Sequence, residues 1–236
     1  MLLTMLGLLE TLGLNLVHTH ILVKKKYSNK VILTVLTLFT VILFAIVISF
    51  GITPGTTVRS IFIGALFVFP LYTLYDVKIK KLITIMIYCW TYTLTLNAFT
   101  YGIISSLYVL DQLLYRLILQ TLLIVATLPF VIRFSRRKFT IILQKSSKIT
   151  SNLLLLLVIS VFTAIVVIRY YIQPDVIIYF LMLLIFSVIS ITSYYLVYSI
   201  VQSNIELHKA NIVITKDSLT GIGNRYSLFN DMKNKI

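Results

Sequence analysis

Charge is scarce in this sequence. Lys, Arg, Asp and Glu make up 12% of its 236 residues and just 7 of them are acidic, against about 25% charged residues in a soluble domain. That shortage excludes a chain able to wet its own surface. Cysteine is almost missing: Cys89 stands alone inside an apolar stretch. A disulfide framework and a thiolate metal site are thereby excluded, and Cys89 is read as a small packing residue. Long polar stretches are lacking too, which leaves no room between the apolar blocks for a folded extracellular domain. What fills the sequence instead is hydrophobic, 59% of residues, with a mean hydropathy of +0.99.

The apolar residues come in blocks, and a helix that crosses a bilayer needs about 20 consecutive, mostly apolar residues. Seven blocks are drawn, at 2–23, 31–50, 58–75, 82–105, 112–132, 151–172 and 176–200. Their connections are short, and "GITPGTT" at 51–57 and "QPD" at 173–175 carry turn residues. The expected fold class is therefore all-α: a polytopic helical membrane protein in contact with lipid, with about seven transmembrane helices over residues 1–200. The first block is the weakest of them, because it holds Glu10, Asn15, His18 and His20. If it lies in the interface, six spans remain. It does not read as a cleaved signal peptide, since its basic cluster follows the apolar run and no small-residue cleavage site stands out.

A formal net charge of +14 would suit nucleic acid only if the cations shared one face of a soluble fold. They sit instead in short clusters between blocks, so no nucleic-acid partner is expected. Lys24, Lys25, Lys26, Lys30, Lys78, Lys80, Lys81, Arg133, Arg136, Arg137, Lys138, Lys145, Lys148 and the terminal basic residues fall on one side of alternating spans. Arg59, Arg116 and Arg169 fall on the other, a ratio of 18 to 3 among the 21 Lys and Arg. The positive-inside rule then makes the C-terminal tail cytoplasmic and, with seven spans, the N-terminus external. Tyr170 and Tyr171 meet the expected outer interface, and Tyr194, Tyr195 and Tyr198 the inner one, where amphipathic rings are favoured. The basic stretch "RFSRRKFTIILQKSSK" is either an amphipathic surface segment or an ordinary positive loop.

Ionisable groups inside a span are costly and usually find partners within the bundle. Thr11, Asn15 and His18 share one helical face by their spacing, as do Gln112, Arg116 and Gln120. Two readings stay open: these groups tie helices together, or they line a ligand pocket that opens outward, with Glu10, Asn15, His18 and Arg116 as its candidate residues. A metal site from Glu10, His18 and His20 is not expected, because two residues apart the imidazoles point to different faces. Pro70 and Pro129 fall within spans, where proline kinks a helix.

Beyond the last block, Tyr194, Tyr198, Val201, Ile205, His208, Ile212 and Thr215 keep the four-three spacing of a coiled-coil seam. A cytoplasmic signalling helix is expected over 201–216, with the seam joining two copies of the chain. Then comes "DSLTGIGNR", in which Gly221 and Gly223 let the chain turn and Asn224 suits a helix N-cap. Leu228, Phe229, Met232 and Ile236 follow at helical spacing.

This stretch resembles the opening signature of GGDEF domains, Asp-x-Leu-Thr-Gly-x-x-Asn-Arg, with Asp217, Leu219, Thr220, Gly221, Asn224 and Arg225 in place. The likeness covers residues 217–236 and implies the start of a GGDEF α/β domain. It implies further that the membrane region is the input module of a diguanylate cyclase, in which two such domains each hold GTP with magnesium and join the nucleotides into cyclic di-GMP. The reaction is phosphoryl transfer, governed by positioning and metal charge. Asp217 and Arg225 are expected to pair across the turn and set how the domain leaves the helix. No catalytic or metal-binding residue of the family lies within the sequence, so by itself it is expected to bind no GTP, as the first part of a longer protein or as a truncated product. The competing readings are a non-enzymatic receptor or scaffold with a degenerate domain, a cyclic di-GMP phosphodiesterase with a further domain downstream, and a transporter.

Overall fold

The structure, a computed structural model, describes residues 2–49, 57–107, 111–170 and 176–215. Over these residues the chain is almost wholly helical: α1 (Leu2–Leu22), α2 (Asn29–Ser49), α3 (Thr57–Leu66), α4 (Val68–Leu74), α5 (Ile79–Ser105), α6 (Gln112–Phe134), a π-helical turn (Ser135–Phe139), α7 (Thr140–Lys145), α8 (Lys148–Tyr170) and α9 (Val176–Thr215). Among the described residues six helical stretches are long and apolar enough to cross a membrane, namely α1, α2, α5, α6 continued to Lys145, α8 and α9. The turns at 51–56 and 173–175, Tyr171 and the whole signature from Asp217 to Arg225 lie outside the described residues, as do the 228–236 stripe and the side chains of Arg59, Tyr170 and Thr215.

The weak block is the third and not the first. α1 is one unbroken helix of 21 residues, whereas residues 57–74 form two short helices that meet at Phe67. Proline lacks the N–H that bonds the carbonyl four residues back, and its ring crowds that carbonyl; for Pro70 the partner is Leu66, where α3 ends. The Phe67 amide bonds the Gly64 carbonyl three residues back at 3.0 Å, and the regular ladder resumes from the Leu71 amide to the Phe67 carbonyl at 3.1 Å. Pro70→Ala is expected to fuse α3 and α4. Restoring about 1 kcal/mol of hydrogen bonding should slow amide exchange across 67–70 roughly fivefold, measured by hydrogen-exchange mass spectrometry.

The two most polar spans are the most buried. α1 and α5 are the least apolar of the six and have the largest buried shares, 33% and 56%, while the most apolar, α2, is 22% buried. α5 occupies the middle, in contact with α1, α4, α6, α8 and α9. The outer surface is the reverse of a soluble protein's: Leu33, Val125, Phe130 and Ile177 are 69%, 68%, 75% and 70% exposed. In water such a surface aggregates, whereas lipid tails are as apolar as these side chains.

The basic clusters gather at one end. Lys25 and Tyr75 form an isolated antiparallel bridge, which joins the α1–α2 connection to the α4–α5 connection, and Lys24 lies 3.7 Å from Asp76. That ion pair is exposed and contributes little stability, yet it fixes which connections are neighbours. Lys80 donates to Asn152 at the start of α8, and Lys138 sits 4.0 Å from the Tyr195 ring centroid and 5.3 Å from that of Tyr198. Arg116 and Arg169 lie towards the other end.

The stretch 133–148 is not a loop. α6 continues through Pro129, widens into the π turn and runs on as α7. Ser135, Phe139, Ile142 and Leu143 are buried while Arg136, Arg137 and Lys145 are exposed, so the segment is amphipathic, with its apolar side packed on α9. At 40 residues α9 is ~60 Å long at ~1.5 Å per residue, about twice what the hydrocarbon core requires. The expected coiled-coil seam is used within the chain along its first half. Tyr194 and Val201 are buried, and Tyr198 and Ile205 pack on the same core. A spacing of three and four residues serves a bundle contact as well as a dimer seam, because both need one inward stripe. From Glu206 to Ile212 the side chains are exposed.

Candidate functional site

The face of α1 that holds Thr11, Asn15 and His18 does turn inward, but depth separates its members. Seven residues of helix span ~10 Å. Thr11 and Asn15 border a cavity of about 190 Å3 in the half of the bundle away from the basic end, facing Arg116 and Gln120 of α6. Two polar stripes recognisable by spacing thus meet each other. His18 lies deeper and is not part of this cavity, and Gln112 is exposed outside it.

Glu10 stands behind the cavity wall and anchors a line of hydrogen bonds across four helices. Its Oε1 accepts from the Thr121 hydroxyl at 2.7 Å and its Oε2 from Gln120 Nε2 at 3.4 Å. Gln120 Oε1 accepts from Asn97 Nδ2 at 3.3 Å, and Asn97 Oδ1 from Arg169 Nε at 3.5 Å. The Arg169 guanidinium lies 3.5 Å from the Tyr101 ring centroid, a cation–π arrangement. Asn15 Oδ1 accepts from the Thr93 hydroxyl at 3.3 Å. With so little water inside a bundle, each bond spares a polar group the cost of burial without a partner.

Trp90 forms one wall. A side chain on Gly64 of α3 would place its Cβ 2.5 Å from Trp90 Cζ2, so the absence of one lets the indole lie directly on the α3 backbone. Phe162 of α8 stands beside the indole, ring centroids 6.2 Å apart, and also borders the cavity.

His18 belongs to a second polar cluster, nearer the basic end. Its Nε2 meets Ser135 Oγ at 3.0 Å, and the Tyr88 hydroxyl meets the same Oγ at 3.0 Å. Ser135 opens the π turn: the Thr140 amide bonds the Ser135 carbonyl five residues back, and the residue gained shifts the inward register so that Phe139 also points to the core. Phe139 stacks on Tyr88 with centroids 4.0 Å apart, and Tyr194 of α9 meets Tyr88 edge-on at 5.5 Å. His18 Nδ1 and the Tyr194 hydroxyl are buried without a hydrogen-bond partner among the described residues. His20 takes another direction altogether, its Nδ1 bonding the Tyr75 hydroxyl at 2.5 Å. The two imidazoles therefore serve different neighbours.

Asn97, Arg169, Trp90, Tyr88 and Ser135 were not marked by sequence pattern. The available signal is the polar density of α5 over "TYTLTLNAFT". Most of its threonines bond their own backbone, as Thr84, Thr91 and Thr95 do to carbonyls four residues back, a common way to satisfy a hydroxyl in a helix. Asn97 cannot do so as readily and reaches α6 and α8 instead, while the Thr93 and Tyr92 hydroxyls reach α1 and α6. No family model, curated protein or solved structure matches the chain.

Proposed function

We propose that the chain is the membrane input module of a diguanylate cyclase, with α9 as the rod that carries its state to a GGDEF domain. The observation that carries this reading is the adjacency of two features: an unbroken 40-residue helix that leaves the bundle at its basic end, and "DSLTGIGNR" starting two residues after that helix. On the positive-inside rule the basic end is cytoplasmic, where GTP and magnesium are found. Residues 1–200 act as the sensor, 201–216 as the signalling helix and 217–236 as the start of the GGDEF domain.

Two GTP molecules joined into one product require two domains face to face, so the reading needs a homodimer. The seam positions Tyr194, Tyr198, Val201 and Ile205 are occupied by the chain's own bundle, which directs pairing to the stretch beyond them, where His208 and Ile212 are exposed. A ligand that favours one arrangement of the bundle then biases the geometry of the two rods, and the shift is limited to its difference in affinity between the two states.

The test uses the complete reading frame, purified in lipid nanodiscs with GTP and magnesium. Cyclic di-GMP formation by the parent protein is expected, with at least a tenfold fall in Asp217→Ala and Arg225→Ala. Product from both variants at the parent rate removes the hinge role of this pair, and no product from the parent removes the cyclase reading itself.

A further inference from the structure

We propose that an anionic phospholipid of the leaflet at the basic end binds between α6 and α9, with one acyl chain in the cleft that separates them and its phosphate on Arg133 and Arg137. The proposal goes beyond the cyclase reading and stands without it, since it depends only on the bundle lying in a bilayer.

The cleft is the first argument. At the basic end the π turn and α7 pack on α9, whereas further into the bundle α6 and α9 stand apart with α5 and α8 behind them. The space between them has a volume of about 360 Å3. Phe130 and Ile191, one on each side of it, are 75% and 64% exposed, so the opening faces hydrocarbon. An empty space of that size forfeits packing contacts along all its walls, and in a bilayer an acyl chain is at hand to restore them.

The lining is the second. Phe134, Ile165 and Phe186 border the cleft, and the hydroxyls there, those of Thr91, Thr95, Ser187 and Ser190, donate to carbonyls of their own helices. Such a wall suits a chain better than a polar ligand. Along α9 it runs from Phe186 to Tyr194, ~12 Å at ~1.5 Å per residue, which fits within the ~15 Å that one leaflet contributes to the hydrocarbon core.

Charge at the mouth is the third, and it selects the head group. Arg133 follows Phe130 by three residues and so shares its face of α6, Arg137 stands about one turn further on, and both are exposed. Lys138 reaches across to α9, over the Tyr195 and Tyr198 rings. The four carboxylates of the described residues lie elsewhere: Glu10 bonds Thr121, Asp76 lies by Lys24, and Asp111 precedes α6 at the opposite end. Glu206 accepts from Gln202, ~12 Å along α9 beyond Tyr198. Guanidinium groups match phosphate oxygens in pairs, and basic pockets between membrane helices at the cytoplasmic face hold anionic head groups.

The protein is released from nanodiscs of equal parts phosphatidylglycerol and phosphatidylcholine with identical chains, and native mass spectrometry counts the lipids retained. One phosphatidylglycerol is expected to be held at least tenfold over phosphatidylcholine. Arg133→Gln combined with Arg137→Gln should remove that preference, while Lys25→Gln combined with Lys30→Gln, at the α1–α2 connection, should leave it. Ser187→Phe, which fills the cleft, should lower retention at least tenfold, and dihexanoylphosphatidylglycerol, the same head on short chains, should be held at least tenfold less by the parent protein. Equal retention of the two lipids overturns the proposal. So does a preference that survives the arginine pair, or that falls as much in the lysine pair, which would mean a diffuse surface field. Unchanged retention in Ser187→Phe, or short chains held as well as long ones, would leave the head group alone bound and overturn it too. If Ser187→Phe does not fold, the short-chain comparison decides whether the cleft holds a chain.

Discussion

Phe139→Ala is expected to lower the stability of the bundle by about 3 kcal/mol and to open the contact between α9 and the rest of the helices. Phe139 is fully buried at the end of the π turn, stacked on Tyr88 of α5 and meeting Tyr194 of α9 edge-on at 6.2 Å. Truncating a buried phenylalanine in a water-soluble core costs ~3–5 kcal/mol, part of it transfer from water and part the cavity left behind. In lipid the transfer part shrinks, because the unfolded reference is itself apolar, and van der Waals packing dominates; the lower end of the range is therefore expected. Unfolding in mixed micelles with increasing dodecyl sulfate measures the change, with Phe139→Leu as a volume-retaining control that loses less than about 1.5 kcal/mol. Cys89 offers a second readout in the native state. It is the chain's single cysteine, fully buried in the same core, and a maleimide reaches it only when that core opens. Its labelling should accelerate about tenfold or more in Phe139→Ala. Labelling and stability both unchanged would mean that α9 is held elsewhere, and the π turn would lose its place as the link between α6 and α9.

A fluorescent protein that matures only in the cytoplasm, fused after Thr215, is expected to be bright, and the same protein inserted between Ser49 and Thr57 to be dark, with about tenfold contrast. The expectation joins a count to a geometry. Eighteen of 21 Lys and Arg fall on one side of alternating spans, and contacts among Lys24, Asp76, Lys80, Asn152, Lys138 and Tyr195 bring the described clusters to one end of the bundle. Lys or Arg at the centre of a helix costs ~2.5–3.5 kcal/mol at insertion, and the bias acts over residues near the span ends. The two α6 and α8 arginines at the other end do not balance such an excess. A bright insertion between α2 and α3 with a dark C-terminal fusion would invert the orientation, and the signature after α9 would then lie away from GTP.

The positions and order of the apolar segments were legible in the sequence because a span is a local property of consecutive apolar residues, but seven blocks were drawn where six described helices are long enough to cross, and α9 runs well past the block drawn for it. The pairing of the Thr11–Asn15 stripe with the Arg116–Gln120 stripe was half legible, since helical spacing names a face but not the face it meets. His18 shares the inward face of Asn15 but lies outside the cavity that Asn15 borders. Period tells direction around the helix axis, and only the packed bundle assigns each depth a neighbour. The third block shows the limit from the other side: Pro70 announces a break, but that the chain divides there into two short helices, with Trp90 lying on Gly64, depends on α5 filling the space beside it.

By itself, then, the sequence determined a helical chain for lipid, a basic side and a polar motif after the last helix, all of which follow from composition along short windows. The tertiary structure alone decided that α5, one of the two least apolar spans, sits in the middle, that the α9 stripe is consumed by its own bundle as far as Ile205, and that Glu10, Gln120, Asn97 and Arg169 form one line across four helices. Those outcomes required residues far apart in the chain to compete for the same interior. Buried polar groups settle that competition by finding partners, and where those partners lie is a property of the whole fold.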